Sequence, residues 1–261
     1  MHTFDQDISI TPQKPFHFHS TISDNWSVNG IPDGGYLMAM ITNAMLQLSE
    51  KKATPILTAN YISRCLPGEA DIEVETIAQS TQFSRLQGKL FQDGKEKVRM
   101  FGTFAANKDT CLIERYEKSP PKIPPVEDCI RVPEMSNYSI FRNLDVRLYP
   151  KCIGWIQGDL SEKSENGGWI KFEDNRAFDI CSIALIADSF PPAVLSSQGM
   201  VAWVPTLEFS VNIRKITEAT CVKCVFRTRF VSCGLLEEDG EIWDEAGNII
   251  AISRQYAIFK Q

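Results

Sequence analysis

Between residues 37 and 48 the chain is apolar at Leu37, Met38, Met40, Ile41, Ala44, Met45 and Leu48, so a helix there has almost no polar face. Such a helix cannot lie on a surface. It must be dried on every side, and a sheet wrapped around it is the arrangement that achieves this. The preceding residues, Pro32-Asp33-Gly34-Gly35-Tyr36, read as a turn opening into the helix. A shorter apolar stretch, residues 180–187, repeats the feature in the second half and is closed by Asp188-Ser189-Phe190-Pro191-Pro192.

Strand-like segments follow each helix. In the first half they fall at residues 56–63, 71–78, 85–92 and 97–106, the last two joined by Asp93-Gly94, a strong hairpin-turn signal. In the second half, Trp155 and Trp169 read as lying on two strands, the latter after an Asn166-Gly167-Gly168 turn. Residues 206–214 alternate, with Leu207, Phe209, Val211 and Ile213 facing one way and Glu208, Ser210 and Asn212 the other. Strands at 220–231 and 241–243, a turn at Glu245-Ala246-Gly247-Asn248 and a last strand at 249–259 complete the plan. Aligning 56–64 with 206–214 gives a distant internal repeat. Residues 107–140 carry Pro120, Pro121, Pro124, Pro125 and Pro133 and read as a crossover. The expected class is α+β: a double hotdog, two antiparallel sheets each wrapped around a central apolar helix. The expected divisions are an N-terminal unit at 1–106, a connector at 107–140 and a C-terminal unit at 141–261.

Several functions are disfavoured by what is missing. The net charge is -6 with both signs interspersed, so no basic stripe marks a nucleic-acid partner. No apolar run is long enough to span a bilayer, and Met1-His2-Thr3-Phe4-Asp5 lacks the pattern of a secretory signal. Phe259-Lys260-Gln261 is not a peroxisomal address. The expectation is a cytoplasmic protein with no membrane partner. Eight cysteines are widely spaced, and Cys221 and Cys224, three apart in a strand-like stretch, point to opposite faces. They read as buried thiols, with no metal site. The three histidines, His2, His17 and His19, all lie near the N-terminus, and there is no nucleophile elbow, phosphate loop or dinucleotide fingerprint. Acid–base chemistry in the body of the chain therefore falls to carboxylates, lysines or tyrosines. His19 and Asp24 have the spacing of a glycerolipid acyltransferase motif, but Phe16-His17-Phe18-His19 reads better as a strand with both imidazoles on a solvated face.

With these residues laid out, the chain resembles the thioesterase-like superfamily related to bacterial acyl-CoA thioesterase II. The resemblance rests on Trp26 with the stretch from Gly30 to Leu37, on Ala187 to Pro192, on Trp203-Val204-Pro205-Thr206-Leu207-Glu208, and on Ile250 to Gln255. It implies a hydrolytic water held by Asp188, Thr206 and Gln255, one site per chain, and no cofactor. In the first half Ile56 stands where Thr206 would, and Thr103 about where Gln255 would. The chemistry suits the residue types. A thioester carbonyl is already electrophilic and a thiolate leaves readily, so no covalent nucleophile is obligatory. Asp188 would serve as general base or orient a water, Thr206 and Gln255 would hydrogen-bond that water, and backbone N–H groups at Gly34 and Gly35, beside Tyr36, would receive the oxyanion.

Plainer readings stand beside these. Asp188 could end a helix in an Asx turn, Thr206 could be an ordinary strand residue, and Gly34-Gly35 a simple turn. Gln255 shares its strand face with Ala251, Ser253 and Ala257, small residues that leave room for a ligand. Strict alternation puts Thr206 on the face of Glu208, away from the apolar side, so Pro205 or a strand end must reorient it. The expected partner is acyl-CoA or another acyl thioester, and the expected assembly a homodimer or larger homo-oligomer. A non-catalytic acyl-thioester-binding module and an acyl-thioester hydratase or dehydratase are the alternatives.

Overall fold

The computed structural model describes residues 1–107, 113–201 and 204–259, which leaves Cys111 and Trp203 outside the described residues. The two apolar segments are helices, α1 at Gly34–Leu48 and α2 at Ile180–Ile186. The Asp33 side chain accepts from the amide N of Tyr36 at 3.1 Å and so caps α1. Asp179 and Ser182 form a reciprocal capping box at the start of α2. Met38, Met40, Ile41 and Met45 of α1 are fully enclosed. Each such side chain contributes roughly 1.5–3 kcal/mol by burial, which outweighs the modest intrinsic helix propensity of the segment.

The main strands are β1 (Thr11–Lys14), β2 (His17–Ile22), β3 (Ala53–Tyr61), β4 (Gly68–Gln79), β5 (Phe83–Gln92), β6 (Lys95–Ala105), β7 (Leu144–Leu148), β8 (Ser164–Phe172), β9 (Thr206–Ile213), β10 (Cys221–Thr228), β11 (Leu235–Trp243) and β12 (Ile249–Ile258). They form one continuous antiparallel sheet in the order β1-β2-β4-β5-β6-β3-β9-β12-β11-β10-β8-β7, with the short strand Ile130–Arg131 at the far edge. Read outward from the centre, each half repeats one sequence. The first strand after the helix comes first, then the fourth, third and second, then the strand before the helix. That is the internal repeat, and the fold is a double hotdog. The two sheets join where β3 pairs antiparallel with β9, with Thr58 opposite Ser210 and their hydroxyls 3.0 Å apart.

Local chemistry explains most of the elements. Asp93 and Gly94 adopt φ of 51° and 70°, the left-handed pair that a tight β5–β6 hairpin needs. Two expectations were wrong. Trp155 lies in a short 3-10 helix, Gly154–Gln157, and not in a strand. Asn166-Gly167-Gly168 is no turn but the middle of β8, where Gly168 pairs with Leu148 of β7 and with Cys224 of β10. A Cβ at Gly168 would come within 1.8 Å of the Arg147 carbonyl oxygen, so the glycine serves close backbone approach within the sheet.

His17 and His19 sit on the partly solvated face of β2, His19 between Glu69 and Asp71 and His17 beside Glu73, as expected of a surface strand. Cys224 is buried and Cys221 partly so, on opposite sides of β10. Among the described residues no cluster of metal-ligating side chains could hold an ion, and no helix is long and apolar enough to cross a membrane.

Candidate active site

The two helices meet at their functional ends, and two glycines allow it. A Cβ on Gly35 would fall 2.6 Å from the Ala184 carbonyl oxygen and 2.9 Å from that of Leu185, so only glycine lets α1 rest this closely on α2. A Cβ on Gly34 would fall 2.7 Å from Asp188 Oδ2 and 2.8 Å from the Tyr61 hydroxyl. Neither glycine has a positive φ, so their role is close packing, not turn conformation.

Asp188 follows the end of α2 and faces the start of α1. Its Oδ2 accepts from the Gly35 amide at 2.9 Å, and the Gly34 amide is also directed at it. Burial pushes its carboxyl up to about 7, reinforced by the charge of Glu238, against the stabilising glycine amides. Asp33, the cap of α1, is raised well above the usual carboxylate range by burial and by the Asp188 charge. The charge of Asp188 thus adds to burial in disfavouring the ionised form of Asp33.

Thr206 and Gln255 come together through a β-bulge. Thr206 pairs with Ala257 and Glu208 with Tyr256, leaving Leu207 as the extra residue. The bulge turns Thr206 toward the inner face and Leu207 outward. This is the strand-end reorientation that strict alternation required. The corresponding irregularity in β3 lies between Ala53 and Ile56, so residues 53–55, not Ile56, occupy the stretch equivalent to Thr206. Thr206 Oγ1 donates to Gln255 Oε1 at 2.8 Å. Gln255 Nε2 donates to Glu238 Oε1 at 2.9 Å, and Glu238 Oε2 accepts from the Ala193 amide at 2.5 Å. This relay fixes which end of the Gln255 amide faces Thr206. Glu238 is 5% exposed, and burial pushes it up to about 7 against its two donors.

Asp188, Thr206 and Gln255, drawn from three distant segments, line one cavity of about 420 Å³ together with Asp33, Gly34 and Tyr61. Its remaining wall is largely apolar: Leu37, Phe141, Trp155, Phe190 and Leu195 contribute, as do Met135 and Tyr138 from the proline-rich crossover. The arrangement offers an ionisable carboxylate, a hydroxyl and an oriented amide beside an apolar chamber. Of the other residues assigned to the site, the Gly35 amide is already taken by Asp188. Tyr36 lies off the cavity: its hydroxyl donates to the Asp7 carbonyl at 2.8 Å and accepts from the Ser23 amide at 3.0 Å.

Glu238 and Tyr61 were missed. Glu238 was legible in principle, since stepping back by two from Ile242 through Gly240 puts it on the buried face of β11. Tyr61, at the end of β3, carries no sequence signal that separates it from any other strand tyrosine.

The fold defines a double-hotdog protein, and the sequence places it further. A family profile described as the acyl-CoA thioesterase N-terminal domain matches residues 22–105, and one described as the acyl-CoA thioesterase C-terminal domain matches residues 124–259. The chain belongs to the acyl-CoA thioesterase family. Among solved structures it is similar to a Thermobifida fusca protein provisionally assigned as a thioesterase II, with TM-score 0.91 and 22% identity over 100% of this chain and 98% of that one. A hot dog protein of unknown function from Alicyclobacillus acidocaldarius gives TM-score 0.90 at 20% identity, covering 100% and 99% of the two chains. An acyl-CoA thioesterase II of Mycobacterium marinum gives TM-score 0.78 at 14% identity, covering 99% and 98%. No curated protein matches the sequence.

Proposed function

We propose that the protein hydrolyses acyl-CoA thioesters to the free acid and CoA. The observation that carries this reading is the convergence of Asp188, Thr206 and Gln255 on one largely apolar cavity, with the Thr206–Gln255 hydrogen bond already made at 2.8 Å. The acyl chain occupies the apolar chamber and the thioester carbonyl lies against the polar wall. Asp188 takes a proton from a water held by Thr206 and Gln255, the water oxygen bonds to the carbonyl carbon, and the tetrahedral intermediate collapses with loss of the CoA thiolate. That thiolate recovers a proton from Asp188 or solvent. A carboxyl near neutrality suits this double duty, because its proton is neither held too tightly nor given up too early. The absence of any histidine from the body of the chain favours hydrolysis over a hydratase, which usually pairs histidine with its carboxylate. We take the working form to be a homodimer or larger homo-oligomer, to be checked by sedimentation.

Thiol trapping over short, medium and aromatic acyl-CoAs tests the reading. Release of CoA that disappears in Asp188→Asn supports hydrolysis. Binding without release marks a binding module, and a change in alkene absorbance without thiol marks a lyase.

A further inference from the structure

A thioester oxyanion needs a hydrogen-bond donor, and the start of α1 directs its amides at Asp188 instead. Gly35 N–H is bonded to Asp188 Oδ2 at 2.9 Å, and Gly34 N–H faces the same carboxylate. Another polar group lies at that spot. The Tyr61 hydroxyl sits over Gly34, where a single methyl would touch it at 2.8 Å and Asp188 Oδ2 at 2.7 Å. Its oxygen is buried and has no hydrogen-bond partner, and the residue forms part of the cavity wall. A buried phenol without a partner costs stability, so its retention beside the candidate base calls for an acceptor that arrives with a ligand. The indole N–H of Trp155 is also unpartnered and on the cavity wall, but it is not among the three atoms nearest a Cβ at Gly34.

We propose that Tyr61 is a catalytic residue whose hydroxyl donates a hydrogen bond to the thioester carbonyl oxygen and to the oxyanion that follows it, an inference that rests on the thioesterase reading above. Water adds to the carbonyl carbon as its proton passes to Asp188, and the carbonyl π electrons move onto the oxygen facing Tyr61. The phenol keeps its proton throughout. Burial, with Asp188 and Asp33 nearby, holds that proton well above the ordinary tyrosine range, which suits a hydrogen-bond donor. When the carbonyl re-forms, the C–S bond breaks and the thiolate leaves.

The test is Tyr61→Phe, which keeps the ring. Loss of one oxyanion donor lowers kcat by about 10²-fold, with KM within about threefold of wild type, measured on butyryl- and octanoyl-CoA. A second readout does not need turnover. Two CoA analogues are compared: a ketone in which CH₂ replaces the thioester sulfur, and an alkyl thioether that lacks the carbonyl. Wild type binds the ketone about tenfold more tightly than the thioether, the worth of about one hydrogen bond, and Tyr61→Phe abolishes the difference. A variant with kcat within threefold of wild type and unchanged ketone preference overturns the role of Tyr61 while hydrolysis stands. If wild type hydrolyses no acyl-CoA, the hydrolase reading falls and the analogue comparison alone decides Tyr61. Binding of neither analogue by a wild type that also hydrolyses no acyl-CoA overturns both.

Discussion

Replacing Glu238 with Gln probes the relay behind the candidate site without touching the cavity, since Glu238 is not part of its wall. The carboxylate accepts twice, from Gln255 Nε2 at 2.9 Å and from the Ala193 amide at 2.5 Å. A glutamine keeps only one of the two accepting oxygens, and the fixed Ala193 amide claims it, leaving the NH₂ where Glu238 Oε1 stood. Its NH₂ then confronts the NH₂ of Gln255, and the relief is a flip of Gln255 that turns its carbonyl away from Thr206. Thr206 loses its acceptor and the water loses an oriented partner. Leaving one buried polar group mispaired costs about 1–3 kcal/mol, which is roughly 5–150-fold in kcat if it is felt only in the transition state. KM stays nearly constant. The charge of Glu238 also holds the Asp188 carboxyl up, so removing it moves the lower midpoint of the pH–kcat profile below its wild-type position. Initial rates of thiol release from acyl-CoA between pH 5 and 9 report both effects. A variant with kcat within twofold and an unmoved midpoint would refute the claim that Glu238 orients Gln255.

Other consequences are as direct. Asp188→Asn should lower kcat by roughly 10²–10⁴-fold, the span for loss of a general base, with the far-ultraviolet spectrum unchanged. In the wild type, kcat/KM should rise with pH through about 7, as Asp188 loses its proton; a profile flat from pH 5 to 9 would exclude it as the base. Stability should run the other way. The folded-state values of Asp188 and Glu238 lie near 7, above their ordinary 3.8 and 4.5. The stability this confers is fully present below pH 4 and is lost as pH rises through 7. From these groups the unfolding free energy in urea should fall between pH 5 and 8 by about 2–3 kcal/mol per carboxyl at most, and an increase would contradict it. Gly35→Ala forces α1 off α2, because its Cβ meets the Ala184 carbonyl oxygen at 2.6 Å. It should destabilise the protein by about 1–3 kcal/mol, seen as a lower Tm, and a neutral result would mean that the helices have room to part.

The double-hotdog plan was readable because its cause is local and repeated: two helices without a polar face, each followed by alternating segments of similar length. The first half is clearest, since Asp93-Gly94 fixes the hairpin register. Glycine misled the reading in the second half. At Gly167 and Gly168 the missing side chain serves close packing inside a strand, a reason that appears only when the Tyr149 ring and the Arg147 backbone are in view. Asp188, Thr206 and Gln255 came from a resemblance, not from pattern. Their meeting depends on the Leu207 bulge and on an α1–α2 contact, neither of which periodicity records. Tyr36 shows the opposite failure. It adjoins the glycines in sequence, yet the helix turns its ring toward Asp7 and Ser23, while Tyr61 arrives from β3 to stand beside Asp188.

The attack of one water, held by Asp188, Thr206 and Gln255, directly on a thioester carbonyl is tested by a single turnover of acyl-CoA in ¹⁸O-labelled water with enzyme in excess. One labelled oxygen in the released acid and none in the peptide that carries Asp188 is the predicted result. Unlabelled acid with the label in Asp188 would show a covalent acyl-carboxylate instead, and absence of CoA release would remove the hydrolytic account altogether.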